Sequence, residues 1–577
     1  MKVFCLVTAG LLALVTTASA QPVITAGSVT NGASYLPGIA PGSIFIAKGS
    51  GLGPATLLQA PSLPFQTTLS NTSVTFTPVA GGAPIEALMV YTWDKQIAAM
   101  LPSTAAPGDY NVTVTYNGAT SAPEPATVVA RNFGFVTQAS SGAGPAQATY
   151  GGYDLNRFTT GTVAFAGHNW SLHPAVVGNK LILWGTGAGA DIKSDTTGGS
   201  SGDQTAAGAF VLNIDGIDVK PDYLGRSSGS PGLDQANFTI PAGVTPGCFK
   251  NVQIRGTGFT SNLGTIAIAG AGQKACSAPT LTQSQLAKLD LGGTLTIGTL
   301  TLLKNSLELT VPTLGTIQSK SESASGSFAK YTVDTVGTAN FSLTEIGACY
   351  VYQRTGTSQQ IIQGVPPTPL NAGNHLTLNG PNASNVAMPM LAGANDFYSA
   401  SLYSNGFNGI GGSGTPTLTT GTYTIAGTGG TDVGAFSASV NFPGDLTWTN
   451  EDTLPDPIPR SSGLTVNWTG GTSGLVAIAG TAFAQSGGTQ QNPIYNASLF
   501  TCIAQATAGT FTVPVSVLSH LFQVSNDSSS GSYGSLSVFG VIDPTQGQFT
   551  APLTAGGSID RGFFAYSVGA TKTTGWN

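Results

Sequence analysis

Several residue groups in this chain have types and spacings that chemistry could use. Gly198-Gly199-Ser200-Ser201-Gly202 and Gly225-Arg226-Ser227-Ser228-Gly229 both satisfy G-x-S-x-G. A hydrolase elbow needs a strand before its serine, a helix after it and a histidine within reach, and neither string has that context. Both read as loops of a Gly- and Ser-rich chain. The turns Gly49-Ser50-Gly51-Leu52-Gly53 and Gly185-Thr186-Gly187-Ala188-Gly189 follow strands, as a phosphate loop does, but no helix follows to offer its N-terminus to an anion. His168 and His173 could share a metal only beside a third ligand, so they read as exposed or capped side chains. Asp191, Asp195 and Asp203 lie in an oxygen-rich loop of the kind that holds calcium, without the ordered ligand ladder of a dedicated site. Glu451 and Asp452, with Asp445, are the carboxylates a glycosidase would use. Adjacent acids on a strand face opposite ways, however, and do not flank one bond at roughly 5–10 Å. Trp448 and Trp468 could form a sugar-stacking platform, although tryptophan in a sandwich strand is more often core.

The elements that must position these residues are strands. Tyr110, Val112, Val114 and Tyr116 alternate with Asn111, Thr113 and Thr115, and Phe436, Ala438, Val440 and Phe442 alternate with Ser437, Ser439 and Asn441. This is the period of a half-buried strand. Leu307–Val311 and Leu464–Trp468 repeat the pattern between turn residues. Helical periodicity is confined to Gln283–Leu289 and a turn near Val517–Leu521. An all-β fold of sandwiches follows.

A duplication sets the domain layout. The stretch from Gly42 to Gly53 reappears as Gly178 to Gly189, and Gln96 to Pro102 with Pro107-Gly108 reappears as Gln235 to Pro241 with Pro246-Gly247. Residues 21–131 and 132–277 are therefore expected to be two sandwiches, with 278–577 a β-rich region of one disulfide-linked unit or two sandwiches. Asn31-Gly32-Ala33-Ser34-Tyr35, the Ala40-Pro41-Gly42-Ser43 strand start, the Gly-rich turns, and the run from Gly225 through Leu233-Asp234-Gln235-Ala236-Asn237-Phe238 resemble the Ig-like repeat of large secreted bacterial proteins. That repeat is itself similar to IPT/TIG modules. The resemblance implies tandem Ig-like sandwiches outside the cytoplasm and brings no agreed catalytic residue. The first copy departs from it, reading Ala98-Ala99-Met100 where the second has Asn237-Phe238-Thr239.

Residues 1–20 read as a signal peptide: Met1-Lys2, an apolar run from Val3 to Val15, and Ala18-Ser19-Ala20 before Gln21. The run is too short to span a bilayer, and membrane insertion is not expected. Only 8% of residues are charged and the net charge is −6, so no basic face exists for nucleic acid or anionic lipid. Cys248, Cys276, Cys349 and Cys502 remain after export, an even number that favours disulfides. Three connectivities are open. Cys248–Cys276 with Cys349–Cys502 is preferred because it pairs near neighbours and keeps each bridge within one half of the chain. The expectation is a secreted, non-enzymatic, adhesion-like protein without cofactors, its partner a protein or polysaccharide at the cell exterior contacted by the C-terminal half. A carbohydrate-binding protein is the second reading and a glycoside hydrolase the third.

Overall fold

Alternating side chains need a second layer to cover their apolar face, and three such layered units follow one another along the chain. The computed structural model describes residues 21–577 except 192–194, 197–201, 312–314, 339–345, 348, 357–365, 392–396, 408–409, 472–473, 489–492, 526–530 and 544–545. Gly198 to Ser201 thus lie outside the described residues. In the first unit a six-stranded sheet faces a five-stranded one. Phe76 pairs with Val112 and Val74 with Val114, and these residues bury against Phe45, Met89 and Ile97 of the opposite sheet. In the second unit an eight-stranded sheet faces a five-stranded one around Leu181, Leu183, Phe238, Val252 and Ile254.

The duplication is visible in the hydrogen bonding. Strand Ile44–Ser50 pairs with Gln96–Met100 in the first unit, and strand Lys180–Thr186 pairs with Asp234–Thr239 in the second. The motifs that recur in the sequence are thus neighbouring strands in each copy.

The motifs that carry the family resemblance meet where the two copies join. The Asn31 amide donates to the carbonyls of Asn132 (2.8 Å) and Thr186 (3.2 Å). The Ile44 N–H donates to Thr186 Oγ1, which donates to the Gly232 carbonyl. Arg226 pairs with Asp234 at 2.8 Å, both side chains 1% exposed, and its Nη2 donates to the Gly42 carbonyl across the joint. Gly42 has φ +74, and a Cβ there would press on Ser103 Oγ and Arg226 Nη2, so only glycine fits. A charge pair this deeply buried persists only because each partner satisfies the other.

In the third unit most apolar side chains from Leu300 to Trp576 form one hydrophobic cluster, while Leu281, Leu286, Leu289, Leu295 and Ile297 pack in another with Phe158, Cys248 and Cys276 of the second repeat. An eleven-stranded sheet carries four- and three-stranded sheets on one face. Leu307–Val311, read as a short strand, is the end of a 17-residue strand, Leu295–Val311, paired along its whole length with Gly315–Tyr331. The core-side residues Leu300, Leu302, Ala324, Phe328, Ile478 and Val538 are buried, whereas the outward Thr299, Thr301, Ser323, Ser325, Ser537 and Thr571 are half-buried. Both expected helical segments exist, as Gln283–Asp290 and the single turn Val515–Leu518, and Val333–Thr338 is a further α-helical segment among the described residues. The first begins in a reciprocal cap between Thr282 and Gln285 and buries Leu286 and Leu289. Among the described residues no helix is long and apolar enough to cross a membrane.

The cysteines are bonded as Cys248–Cys276 and Cys349–Cys502. Cys349 and Cys502 face each other on adjacent strands, so this bond staples the edge strand Cys349–Gly356 to Pro493–Gln505. The Gln253 side chain of the second repeat closes that edge further, accepting from Gln353 N–H and donating to Gln353 C=O.

Candidate functional site: an aromatic hairpin inserted in the second repeat

The residues singled out by spacing have structural duties. Arg226 ends a strand and Ser227 is buried beyond it, with Arg226 committed to Asp234 and Gly42. The Gly-rich turns hold an anion of their own: Asp234 Oδ2 accepts from Gly187 N–H and Ala188 N–H at 2.7 Å, and Asp94 Oδ1 accepts from Gly51 N–H at 2.8 Å. A protein carboxylate fills the place a phosphate would take.

The carboxylates of Asp195 and Asp203 accept from different residues. Asp195 accepts from the N–H and hydroxyl of Ser103 in the first repeat, and the Asp191 N–H donates to the same hydroxyl. Asp203 accepts from the N–H and hydroxyl of Thr205; burial opposes its ionisation, but these bonds outweigh it and hold the carboxyl below its usual range. Among the described residues no three His, Cys, Asp or Glu side chains converge as a metal site requires.

Trp448 and Trp468 do not form a stacking platform. They are cross-strand partners, 6% and 2% exposed, in the C-terminal core, and the Trp468 indole N–H donates to the Ala506 carbonyl. Glu451 and Asp452 sit on a single 3-10 turn, Glu451–Thr453, rather than a strand. Burial first, and then the nearby Glu308 carboxylate, push Glu451 up to about 7 against the pull of Lys572. The acids gather around two lysines. Lys572 pairs with Glu308 at 3.5 Å, and Lys304 pairs with Asp445 at 2.7 Å and Glu322 at 3.6 Å, with Glu322 also accepting from Thr417 and Leu418 N–H.

An exposed aromatic surface lies elsewhere, in an insertion that sequence reasoning missed. Thr30 faces Ile46 in the first repeat and Thr149 faces Ile182 at the duplicate position. From there residues 32–43 lead to Ile44 in the first copy, but residues 152–179 lead to Lys180 in the second. The longer path forms three strands, Asp154–Asn156, Gly161–Phe165 and His168–His173, which extend the eight-stranded sheet into solvent. Register puts Val163, Phe165, His168 and Trp170 on one face, with Tyr153 beside Trp170. Phe165 is 68% and Tyr153 48% exposed. The Tyr153 and His168 rings stack at 4.1 Å, Trp170 stands nearly perpendicular to Tyr153 at 5.1 Å, and the Tyr153 hydroxyl bonds to His168 Nε2 at 3.1 Å. The Trp170 N–H donates to the Phe165 carbonyl, completing a self-contained array.

The base of this hairpin is rigid. Asn156 exchanges two 2.8 Å hydrogen bonds with Ala267. Asp290, at the end of the Gln283–Asp290 helix, accepts from Phe158 N–H, Thr159 N–H and the Thr159 hydroxyl. The Cys276 N–H donates to the Phe158 carbonyl, so the Cys248–Cys276 bond lies directly beneath the insertion. Buried Arg157 is lowered to about 10 by desolvation, partly countered by Asp290. His173 stacks on Tyr150 at 4.2 Å. The signal in the sequence was length: residues 132–177 precede the Gly178 motif in the second copy, where only residues 21–41 precede Gly42 in the first.

Fold and surface together define an all-β protein of tandem Ig-like sandwiches with an exposed aromatic insertion. The sequence matches no protein-family model, and no curated protein matches it. Among solved structures it is similar to the SGBP-B protein of a Bacteroides ovatus mixed-linkage glucan utilization locus in complex with a heptasaccharide: 11% identity, 55% of this chain, 67% of that one, TM-score 0.20. A tetra-tandem repeat from the extending region of a large adhesion protein aligns at 12% identity over 96% and 99% of the two chains, TM-score 0.12. SGBP-B from a xyloglucan utilization locus of Bacteroides uniformis aligns at 9% identity over 66% and 86%, TM-score 0.16. At such scores none of these likenesses extends to a ligand or an activity.

Proposed function

We propose that the chain is an extracellular, non-enzymatic interaction protein in which two Ig-like repeats of the IPT/TIG kind and a large C-terminal sandwich form a support for one contacting surface, the aromatic hairpin of the second repeat. The observation that carries this reading is the exposure of Tyr153 and Phe165 on a base braced by Asn156, Asp290 and the Cys248–Cys276 bond. Stacked rings held in solvent at the cost of their hydration are sites of recognition more often than of folding. Two disulfides and the leader-like residues 1–20 support action in an oxidising compartment outside the cytoplasm.

The test is the retention of the fluorescently labelled mature chain on immobilised cell-surface material, compared with a Tyr153→Ala/Phe165→Ala/Trp170→Ala variant. Saturable binding that the variant loses is the expected result. Equal retention of both proteins, or release of shortened polymer by the wild type, overturns the reading.

A further inference from the structure

We infer that the hairpin face formed by Tyr153, Phe165, His168 and Trp170 is a stacking site for the rings of an uncharged polysaccharide. This rests on the hairpin being the contacting surface and adds the class of ligand. From Gly161 to His173 there is no Asp, Glu, Lys or Arg, the charged neighbour in the adjoining strand is the acidic Asp154, and the chain's net charge of −6 likewise repels polyanions. The polar tips are used internally: Tyr153 hydroxyl to His168, and Trp170 N–H to Phe165. What remains outward is aromatic ring surface, partner to the C–H face of a sugar.

The geometry suits a ring rather than a flat surface. Tyr153 and His168 are parallel within 16°, and Trp170 meets Tyr153 at 83°, so the rings present surfaces in two directions. The reverse face of the same ribbon carries Thr162, Asn169 and Ser171, neutral groups that hydrogen-bond hydroxyls. A protein partner would ask for more, since a stable protein interface takes about 20–30 residues a side, and this face offers four aromatic side chains. A lipid surface would ask for basic residues among the rings, and residues 158–173 hold no Lys or Arg.

The experiment is affinity electrophoresis of the full mature chain through native gels containing neutral polysaccharides (mixed-linkage glucan, xyloglucan, dextran, galactomannan) or acidic ones (alginate, heparin). Trp170→Ala, Tyr153→Ala and a Trp448→Phe control run alongside, their folding checked by circular dichroism. The expected result is retardation in at least one neutral gel, weakened tenfold or more in both hairpin variants and unchanged in Trp448→Phe. Retardation only in acidic gels overturns the inference. So does retardation in no gel, or neutral-gel retardation that the hairpin variants keep. If no gel retards the wild type while the triple hairpin variant still loses binding to cell-surface material, the ligand class falls and the interaction reading stands. If hairpin substitutions change neither measurement, both fall.

Discussion

Asp234→Asn tests the joint between the repeats. Asp234 accepts from Arg226 Nε at 2.8 Å and from the Gly187 and Ala188 N–H groups at 2.7 Å, at a position without solvent. The amide keeps the shape, removes the charge, and turns a donor toward groups that are themselves donors. Arg226 stays buried, with its bond to the Gly42 carbonyl but without the charge of Asp234. Breaking one side of a buried pair costs about 3–5 kcal/mol, because the stranded charge has no water to replace its partner. At about 1.4 kcal/mol per tenfold change, opening of the joint becomes more frequent by roughly two to nearly four orders of magnitude. Arg226→Met/Asp234→Leu removes both charges and costs about 1–3 kcal/mol for the unmet N–H groups, less than the two single changes combined. The assay is hydrogen exchange of peptides covering 178–190 in the full mature chain, read beside urea denaturation. An Asp234→Asn protein within about 1 kcal/mol of wild type, or a double variant whose loss equals the sum of the singles, would refute the reasoning.

Three further outcomes are expected. Breaking the Cys248–Cys276 bond by Cys248→Ser/Cys276→Ser opens a loop with a sequence separation of 28, a loss of about 3.5 kcal/mol in the chain-entropy account, and speeds exchange in peptides covering the hairpin base at 156–159, read by mass spectrometry. Glu451 is raised above its unfolded value, so the stabilisation from its protonated form is complete below about pH 4.5 and is lost as pH rises towards 7. Glu451→Gln therefore raises stability at pH 8 by about 1 kcal/mol after solvent screening, seen as a higher melting temperature, and leaves it unchanged at pH 4. Trp468→Ala, in the C-terminal core, costs about 3–5 kcal/mol in denaturant without altering retention by any polysaccharide.

The strands were legible wherever apolar and polar residues alternate, as at Tyr110–Tyr116 and Phe436–Phe442, because burial on one face writes that period into the chain. The long strand Gly315–Tyr331 was not. Its outward positions are mostly serine and its inward ones include Glu322, Ala324 and Gly326, so a fully paired strand carries little hydrophobic contrast. The duplicated motifs were legible as recurrence, but their role at the repeat joint was not, because Arg226–Gly42 and Asn31–Thr186 join residues more than 150 apart. Trp448 and Trp468 show the limit for sites: a tryptophan on an alternating strand reads the same whether its face meets solvent or another sheet. The hairpin was missed for the converse reason. Tyr153, Phe165, His168 and Trp170 are scattered in a Gly-rich stretch, and only the register of three short strands gathers them.

The most direct measurement is a hydrogen-exchange footprint of the mature chain with and without the surface polymer that retains it. The account predicts slowed exchange in peptides spanning 150–173, with none in those spanning 446–468. Protection confined to the C-terminal sheets, with the hairpin unchanged, would contradict it.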